Sequence, residues 1–138
     1  MSSFFHPIRV SWVDTDAGKV VHFSNYFKFF EEAEEAFYRS LGLDFDAIED
    51  EFGIWIPRVE AFCQYKSSAR FNDLLEVEMQ VSEVRDKTIR YEFVIRKRGD
   101  KSIIAQGHVI AVAVDRKTGK STQIPPILRE KLSQPPSG

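Results

Sequence analysis

Residues 25–41, NYFKFFEEAEEAFYRSL, carry the clearest structural signal in the chain. Apolar side chains recur there every three or four residues, and charged side chains fill the positions between them. The apolar set, which begins at Phe23 just before this stretch, is Phe23, Tyr26, Phe27, Phe30, Ala33, Phe37 and Leu41, and the polar set is Lys28, Glu31, Glu32, Glu35 and Arg39. Gly42 follows, at a position where helices commonly end in a left-handed residue. The pattern predicts an amphipathic helix about 25 Å long, enough to cross a whole sheet.

Strand patterns occur in the sequence both before and after this predicted helix. A first strand is predicted over Pro7–Val13 and another over Ile54–Tyr65. Residues 75–82 and 89–96 alternate apolar and polar side chains, which predicts strands with one buried and one wet face. The last strand, Ile103–Val114, is apolar on both faces toward its end, so its second face is expected to meet another subunit.

The order of elements is one strand, one long helix and then about four strands in a meander, which is an α+β layout. A long aromatic helix wrapped by an antiparallel sheet of about five strands is the hotdog arrangement. With 138 residues, the chain fits one domain. We predict a single domain over residues 1–132 and a frayed tail over residues 133–138, where Ser, Pro and Gly predominate.

Composition narrows the classes of partner. The net charge is −2, which gives no reason to expect nucleic acid as a partner. One cysteine, Cys63, excludes an internal disulfide and a cysteine-rich zinc site. No apolar run approaches the roughly 20 residues that span a bilayer, and the first residues do not resemble a signal peptide. We therefore expect a cytoplasmic protein without a membrane partner.

Two carboxylates, Asp14 and Asp16, lie with Gly18 in a turn between the first strand and the long helix. Such turns often hold catalytic groups, and the helix start presents amides that can stabilise a developing oxyanion. A nearby carboxylate could attack a thioester carbonyl or deprotonate a water molecule. The structural alternative is that both residues only form Asx-turns and begin the helix. Spacing alone favours this alternative.

The same segment resembles the signature of the 4-hydroxybenzoyl-CoA thioesterase family. The matching residues are Asp14, Asp16, Gly18, Val20, Val21, Asn25 and Tyr26. The likeness continues through residues 56–59, 65–73, 113–115 and 119–120, so it covers nearly the whole chain in order. It implies an acyl-CoA thioesterase with a hotdog fold that needs no metal or redox cofactor and forms a homodimer or homotetramer. Within it, Asp16 matches the carboxylate that acts as nucleophile or general base.

Two positions depart from the family pattern. Lys19 stands where the family often has glycine, which places a cation near the site or alters the turn. The pair His22-Phe23 stands where the thioesterases associated with the Tol–Pal system have Tyr-His. Membership of that subgroup, and its preference for short acyl chains, therefore does not follow.

Several other residues are candidates for contact with an acyl-CoA substrate. They are His22, Asn25 and Tyr26 near the helix start, and Arg58, Lys66 and Arg70 for the phosphates of CoA. The alternative is that the histidine caps or packs and that the basic side chains are solvated strand residues. Two rival functions stay open: a hydratase or dehydratase acting on acyl thioesters, and a non-catalytic acyl-CoA-binding protein.

Overall fold

The computed structural model describes residues 2–133, which form nine major elements and two very short strands. In chain order these are β1 (Phe4–Arg9), a 3₁₀ turn (Trp12–Asp14), α1 (Asn25–Ser40), α2 (Phe45–Phe52), β2 (Ile54–Trp55), β3 (Arg58–Tyr65), β4 (Leu74–Val84), β5 (Thr88–Lys97), β6 (Ile103–Val112), β7 (Val114–Asp115) and α3 (Pro126–Leu132). Five strands make an antiparallel sheet in the order β1-β4-β5-β6-β3, and β2 pairs with β7 separately. The predicted α+β hotdog arrangement is confirmed.

Helix α1 has the predicted position and ends as predicted, with Gly42 at a φ of +77° just after it. Its buried side meets the sheet through aromatic contacts. Phe30 stacks on Phe93 of β5, with ring centroids 4.4 Å apart, and Phe37 packs edge-on against Phe4 of β1. The helix therefore packs its aromatic side chains against the sheet, as the hotdog arrangement requires.

The predicted meander is only partly correct. β4, β5 and β6 are consecutive neighbours, but β3 pairs with β6 and not with β4. Periodicity indicates which face of a strand is buried and says nothing about which strand lies beside it. The result places β3 at an edge of the sheet, where one side of its backbone ladder has no partner strand among residues 2–133.

The predicted first strand, Pro7–Val13, is wrong in its second half. β1 ends at Arg9, and the chain then turns through Trp12–Asp14 because the Asp14 carboxylate accepts a hydrogen bond from the Ser11 amide. The predicted strand Ile54–Tyr65 is divided into β2 and β3. Pro57, which lies at the break, has no N–H to donate to a sheet ladder.

Strand β3 lies unusually close to β6 at one point. A Cβ added to Gly107 would overlap the carbonyl oxygen of Phe62, so only glycine fits there. Three apolar or aromatic residues of β3, Val59, Phe62 and Tyr65, are exposed. The sheet thus presents an apolar edge strand with an open ladder.

The C-terminal helix α3 begins at Pro126, within the proline pair, since proline is well tolerated in the first turn of a helix. The predicted tail over residues 133–138 lies, apart from Ser133, outside the described residues. No helix among residues 2–133 is long and apolar enough to cross a membrane.

Candidate active site

The turn between β1 and α1 is held at its base by backbone hydrogen bonds. Thr15 and Val21 form a β-bridge, and the Asp16 amide donates to the Val20 carbonyl at 3.0 Å. At the tip, the Lys19 amide donates to the Asp16 carbonyl at 2.9 Å, which requires Lys19 to adopt a φ of +63°. We call residues 14–22 the carboxylate turn.

Asp14 forms the buried half of this turn and is 2% exposed. Its Oδ1 pairs with Lys28 Nζ of α1 at 2.7 Å, and its Oδ2 accepts the Ser11 amide at 2.9 Å. Its carbonyl accepts the His22 amide at 2.9 Å and the Asn25 side-chain amide at 2.8 Å. Asp14 thus connects the turn both to the segment before it, through Ser11, and to helix α1, through Asn25 and Lys28.

Asp16 forms the exposed half. Its Oδ1 accepts the Gly18 amide at 2.8 Å, and this is the one side-chain hydrogen bond of Asp16 within residues 2–133. A Cβ on Gly18 would lie 3.2 Å from that oxygen, so glycine allows the close approach. One carboxylate oxygen is therefore held in place while the other faces solvent.

His22 and Asn25, both candidates for substrate contact, have structural partners. His22 Nδ1 lies 2.8 Å from Ser24 Oγ, and its ring stacks on Phe23 with centroids 4.5 Å apart. The Asn25 side chain is taken by Asp14, and the Asn25 and Tyr26 amides donate to the carbonyls of His22 and Phe23. The first amides of the helix region are therefore partly engaged, the Tyr26 bond being long at 3.4 Å.

A groove of about 320 Å³ opens at the foot of the carboxylate turn. Three aromatic side chains line it together with one valine, one lysine and two serines: Val21, Phe23, Tyr26, Tyr65, Lys66, Ser67 and Ser68. The Tyr65 ring lies 5.3 Å from Tyr26, and its hydroxyl donates to the Phe23 carbonyl at 3.2 Å. Burial raises the pKa of Tyr26 to about 12, so its hydroxyl stays protonated near neutral pH.

The groove and turn bring together only some of the sequence candidates. Tyr26 and Lys66 line the groove, whereas Asp16, His22 and Asn25 belong to the turn and the helix start and do not line it. Arg58 lies at the far end of β3, where it pairs with Glu34 and its guanidinium sits over the ring of Tyr91. Arg70 is exposed on the loop after β3 and does not line the groove.

Sequence reasoning missed a buried polar cluster beneath the sheet. Glu34 is 2% exposed, pairs with Arg58, and lies near the hydrogen-bonded hydroxyls of Tyr38 and Tyr91. Burial raises the pKa of Glu34 to about 7, against the opposing effect of the Arg58 charge. The signal was present, because Glu34 lies four residues after Phe30 and four before Tyr38 on one helix face.

Comparisons with known proteins identify the family. Residues 10–132 match the model of the thioesterase-like superfamily. The chain belongs to the thioesterase-like superfamily. A putative esterase of Aquifex aeolicus is 32% identical over 129 residues, covering 94% of this chain and 97% of that protein. The acyl-CoA thioesterase YbgC of Haemophilus influenzae is 36% identical over 91 residues, covering 66% of this chain and 67% of its own.

Solved structures agree with this membership. The structure of a gentisyl-coenzyme A thioesterase is 30% identical, with a TM-score of 0.83, and the alignment covers 94% of this chain and 100% of that one. In this thioesterase-like chain, no group of three or more His, Cys, Asp or Glu side chains among residues 2–133 could hold a metal ion.

Proposed function

We propose that the protein is an acyl-CoA thioesterase that hydrolyses an acyl-CoA to a free acid and CoA, with Asp16 as the reacting carboxylate. The observation that carries the proposal is the exposed Asp16 carboxylate, which keeps one oxygen on the Gly18 amide and leaves the other without a hydrogen bond within residues 2–133, on the same turn whose Val21 lines the groove. A fixed carboxylate open on one side has the geometry of a nucleophile or general base.

The proposed reaction has two routes that end in the same products. In the first, Asp16 attacks the thioester carbonyl, the C–S bond breaks, CoA leaves as a thiolate, and water hydrolyses the resulting anhydride. In the second, Asp16 takes a proton from a water molecule that attacks the same carbon. In both, the oxyanion needs donors, for which the amides at the start of α1 are the candidates.

The CoA part of the proposal is supported by the relatives. The Haemophilus influenzae protein is named an acyl-CoA thioesterase, and the solved relative is named a gentisyl-coenzyme A thioesterase. Within the superfamily, we propose that this chain groups with the 4-hydroxybenzoyl-CoA thioesterases, on the strength of the motif from Asp14 to Tyr26. His22, Asn25, Tyr26 and Lys66 stay predicted substrate contacts.

We also propose a homodimer in which β3 pairs with β3 of a second copy, and a homotetramer built from two such dimers. The support is the open ladder and the exposed apolar residues of β3. In one chain, Arg58 and Tyr65 lie roughly 23 Å apart at about 3.3 Å per residue. Antiparallel pairing centred between Ala61 and Phe62 would bring Arg58 of one copy next to Tyr65 of the other. Arg58 would then lie beside the groove of the neighbouring copy.

The cytoplasmic location stays a prediction.

A thiol-release assay across short, long and aromatic acyl-CoAs tests the proposed activity and reports the acyl group. Release of free CoA with an equal amount of free acid supports it. Two outcomes would contradict it: an altered acyl chain with the thioester intact, as a hydratase gives, or tight binding without any free thiol. His22→Ala provides the matched control, because a hydratase that relies on this histidine would lose all activity while Asp16→Asn was tolerated.

A further inference from the structure

A second aromatic pair, outside the lining of the groove, comes just before the carboxylate turn in the chain. Trp12 is 65% exposed and Phe71 is 45% exposed, and their rings meet edge-to-face with centroids 5.4 Å apart. We call these two residues the Trp12–Phe71 platform. Neither side chain belongs to the buried core, so packing within residues 2–133 does not account for two large exposed rings placed together.

The backbone beneath the platform is fixed at several points. Two backbone hydrogen bonds join Val10 to the loop that carries Phe71. The Val10 amide donates to the Asp73 carbonyl, and the Asn72 amide donates to the Val10 carbonyl, both at 3.0 Å. Asn72 itself adopts a φ of +70°, which makes a sharp turn directly after Phe71. The platform is therefore presented on braced backbone.

Two arginines are neighbours of the platform, Arg9 in space and Arg70 in sequence. The Arg9 guanidinium donates to the Asn72 carbonyl at 3.1 Å, directly beside Phe71, and Arg70 is the preceding residue. Within residues 2–133, neither arginine takes part in an ion pair with a carboxylate at 4.0 Å or less. The nearby Asp73 carboxylate is already engaged, by Lys97 at 3.7 Å and by the Arg70 backbone amide at 2.9 Å. The arginine charges are thus available to an anion.

We propose that the Trp12–Phe71 platform binds the nucleotide end of CoA, with the adenine ring stacked on Trp12 and the phosphates paired with Arg9 and Arg70. Aromatic rings stack well on nucleobases, and arginine is the side chain best suited to phosphate. A flat aromatic ligand that carries several phosphates matches both features of the site at once. The inference rests on the proposed function, because it takes CoA as the ligand.

The position of the platform fits a ligand whose other end reaches Asp16. Trp12 precedes Asp16 by four residues, so their Cα atoms are at most roughly 14 Å apart. The pantetheine arm, which separates the nucleotide from the thioester in CoA, has a longer contour than this separation. The nucleotide and the reacting carbon can therefore lie on opposite sides of the carboxylate turn.

Two substrates with the same acyl group, an acyl-CoA and an acyl-pantetheine, test the proposal on the intact protein. Acyl-pantetheine lacks the nucleotide. Trp12→Ala is expected to raise KM for the acyl-CoA roughly tenfold or more, the loss of one stacked base, while kcat and the KM for acyl-pantetheine stay within about twofold. Trp55→Ala is the matched control, because Trp55 is the other tryptophan and is also exposed. Equal KM changes for the two substrates, or none, would overturn the proposal.

A binding measurement separates failure of this inference from failure of the proposed function. Adenosine 3′,5′-bisphosphate, the nucleotide portion without the arm, is titrated while the fluorescence of Trp12 is followed in a Trp55→Phe background. Saturable quenching that Arg70→Gln weakens supports the platform even if no acyl-CoA is hydrolysed. No quenching, with hydrolysis of acyl-CoA intact, removes the platform and leaves the thioesterase. A fall in the mass of the assembly in Trp12→Ala by sedimentation would instead assign the platform to a second copy and overturn the proposal.

Discussion

The two aspartates of the carboxylate turn, Asp14 and Asp16, differ in their burial and in the number of their hydrogen bonds. Asp14 is buried, and all its polar atoms are used by Ser11, His22, Asn25 and Lys28. Asp16, two residues later, is exposed and accepts one side-chain hydrogen bond, from Gly18. The first carboxylate therefore builds the turn, and the second is presented by it.

This division suggests why two carboxylates occur so close together. A carboxylate that must react needs a free oxygen, and a free oxygen cannot also hold the backbone. The structural work at this turn is done by Asp14, so that Asp16 need only keep one oxygen on the Gly18 amide. Asp16 forms the predicted Asx-turn, with Gly18, whereas the Asp14 carboxylate forms none and instead accepts the Ser11 amide and pairs with Lys28.

The largest expected effect is on kcat and comes from replacing the exposed Asp16. Asp16→Asn should lower kcat by roughly 10²- to 10⁴-fold, the usual contribution of a positioned acid–base group. Its free energy of unfolding should change by less than about 0.5 kcal/mol, because the amide oxygen can still accept the Gly18 bond. Thiol release and urea unfolding measure the two quantities. A wild-type rate in this variant would remove Asp16 from the chemistry.

A third carboxylate, Glu34, extends the comparison of buried and exposed carboxylates, because it is buried like Asp14 but pairs with an arginine instead of a lysine. Its pKa is raised to about 7, so the folded state binds more protons than the unfolded state between about pH 4.5 and pH 7. Stability from this group is therefore full below that window and is lost as the pH rises through it, by about 3 kcal/mol. The charged groups that face it are Arg58, Glu31 and Glu35, with Tyr38 and Tyr91 as hydroxyl neighbours.

Urea unfolding of the wild type and Glu34→Gln across pH 4.5–8 checks this expectation. Glutamine keeps an acceptor for Arg58 and cannot ionise, so the wild type should lose stability relative to the variant as the pH rises. Parallel pH profiles for the two proteins would contradict the assignment of the raised pKa to Glu34.

Replacing the buried Asp14 should lower the free energy of unfolding and leave the rate of hydrolysis much less affected than replacing Asp16. Asp14→Ala removes the partner of Lys28 and leaves the Ser11 amide without its acceptor, which should lower the free energy of unfolding by about 2 kcal/mol. Lys28→Met is the milder companion, since Lys28 is half exposed and the Ser11 bond survives. A loss for Lys28→Met that equals the loss for Asp14→Ala would assign the stabilisation to the ion pair alone.

The smallest effect is expected at the tip of the turn. Lys19 has a φ of +63°, a conformation that costs a residue with a side chain about 1–2 kcal/mol. Glycine removes that cost but loses roughly 0.5–1 kcal/mol of unfolded-chain entropy. Lys19→Gly should therefore stabilise by about 0.5 kcal/mol, seen as a small rise in Tm. A lower Tm would show that the lysine side chain makes a compensating contact.

Much of the fold follows from periodicity. Helix α1, the burial pattern of β4 and β5 and the left-handed Gly42 are all readable from spacing, because they depend on which face of an element is apolar. The end of β1 was not readable, because one side chain, Asp14, turns the chain by capturing a backbone amide. The position of β3 at the edge depends on pairing between distant segments, which periodicity does not encode.

For the site, too, the sequence predicted local groupings of residues but not contacts between distant segments. The motif located the carboxylate turn, and proximity in sequence correctly grouped His22, Asn25 and Tyr26 near it. It did not reveal that Arg58 faces Glu34, since that contact joins residues 24 positions apart. The catalytic role of Asp16 stays a prediction, because position and exposure describe availability and not reactivity.

The most direct measurement compares Asp14→Asn and Asp16→Asn in single-turnover hydrolysis of one acyl-CoA, with enzyme in excess and at a temperature where both variants are folded. If Asp16 reacts and Asp14 only holds the turn, the folded Asp14→Asn protein should keep at least about a tenth of the wild-type rate constant, and Asp16→Asn should keep less than about a hundredth. Equal losses in the two variants, or a larger loss for Asp14→Asn, would contradict the division of roles.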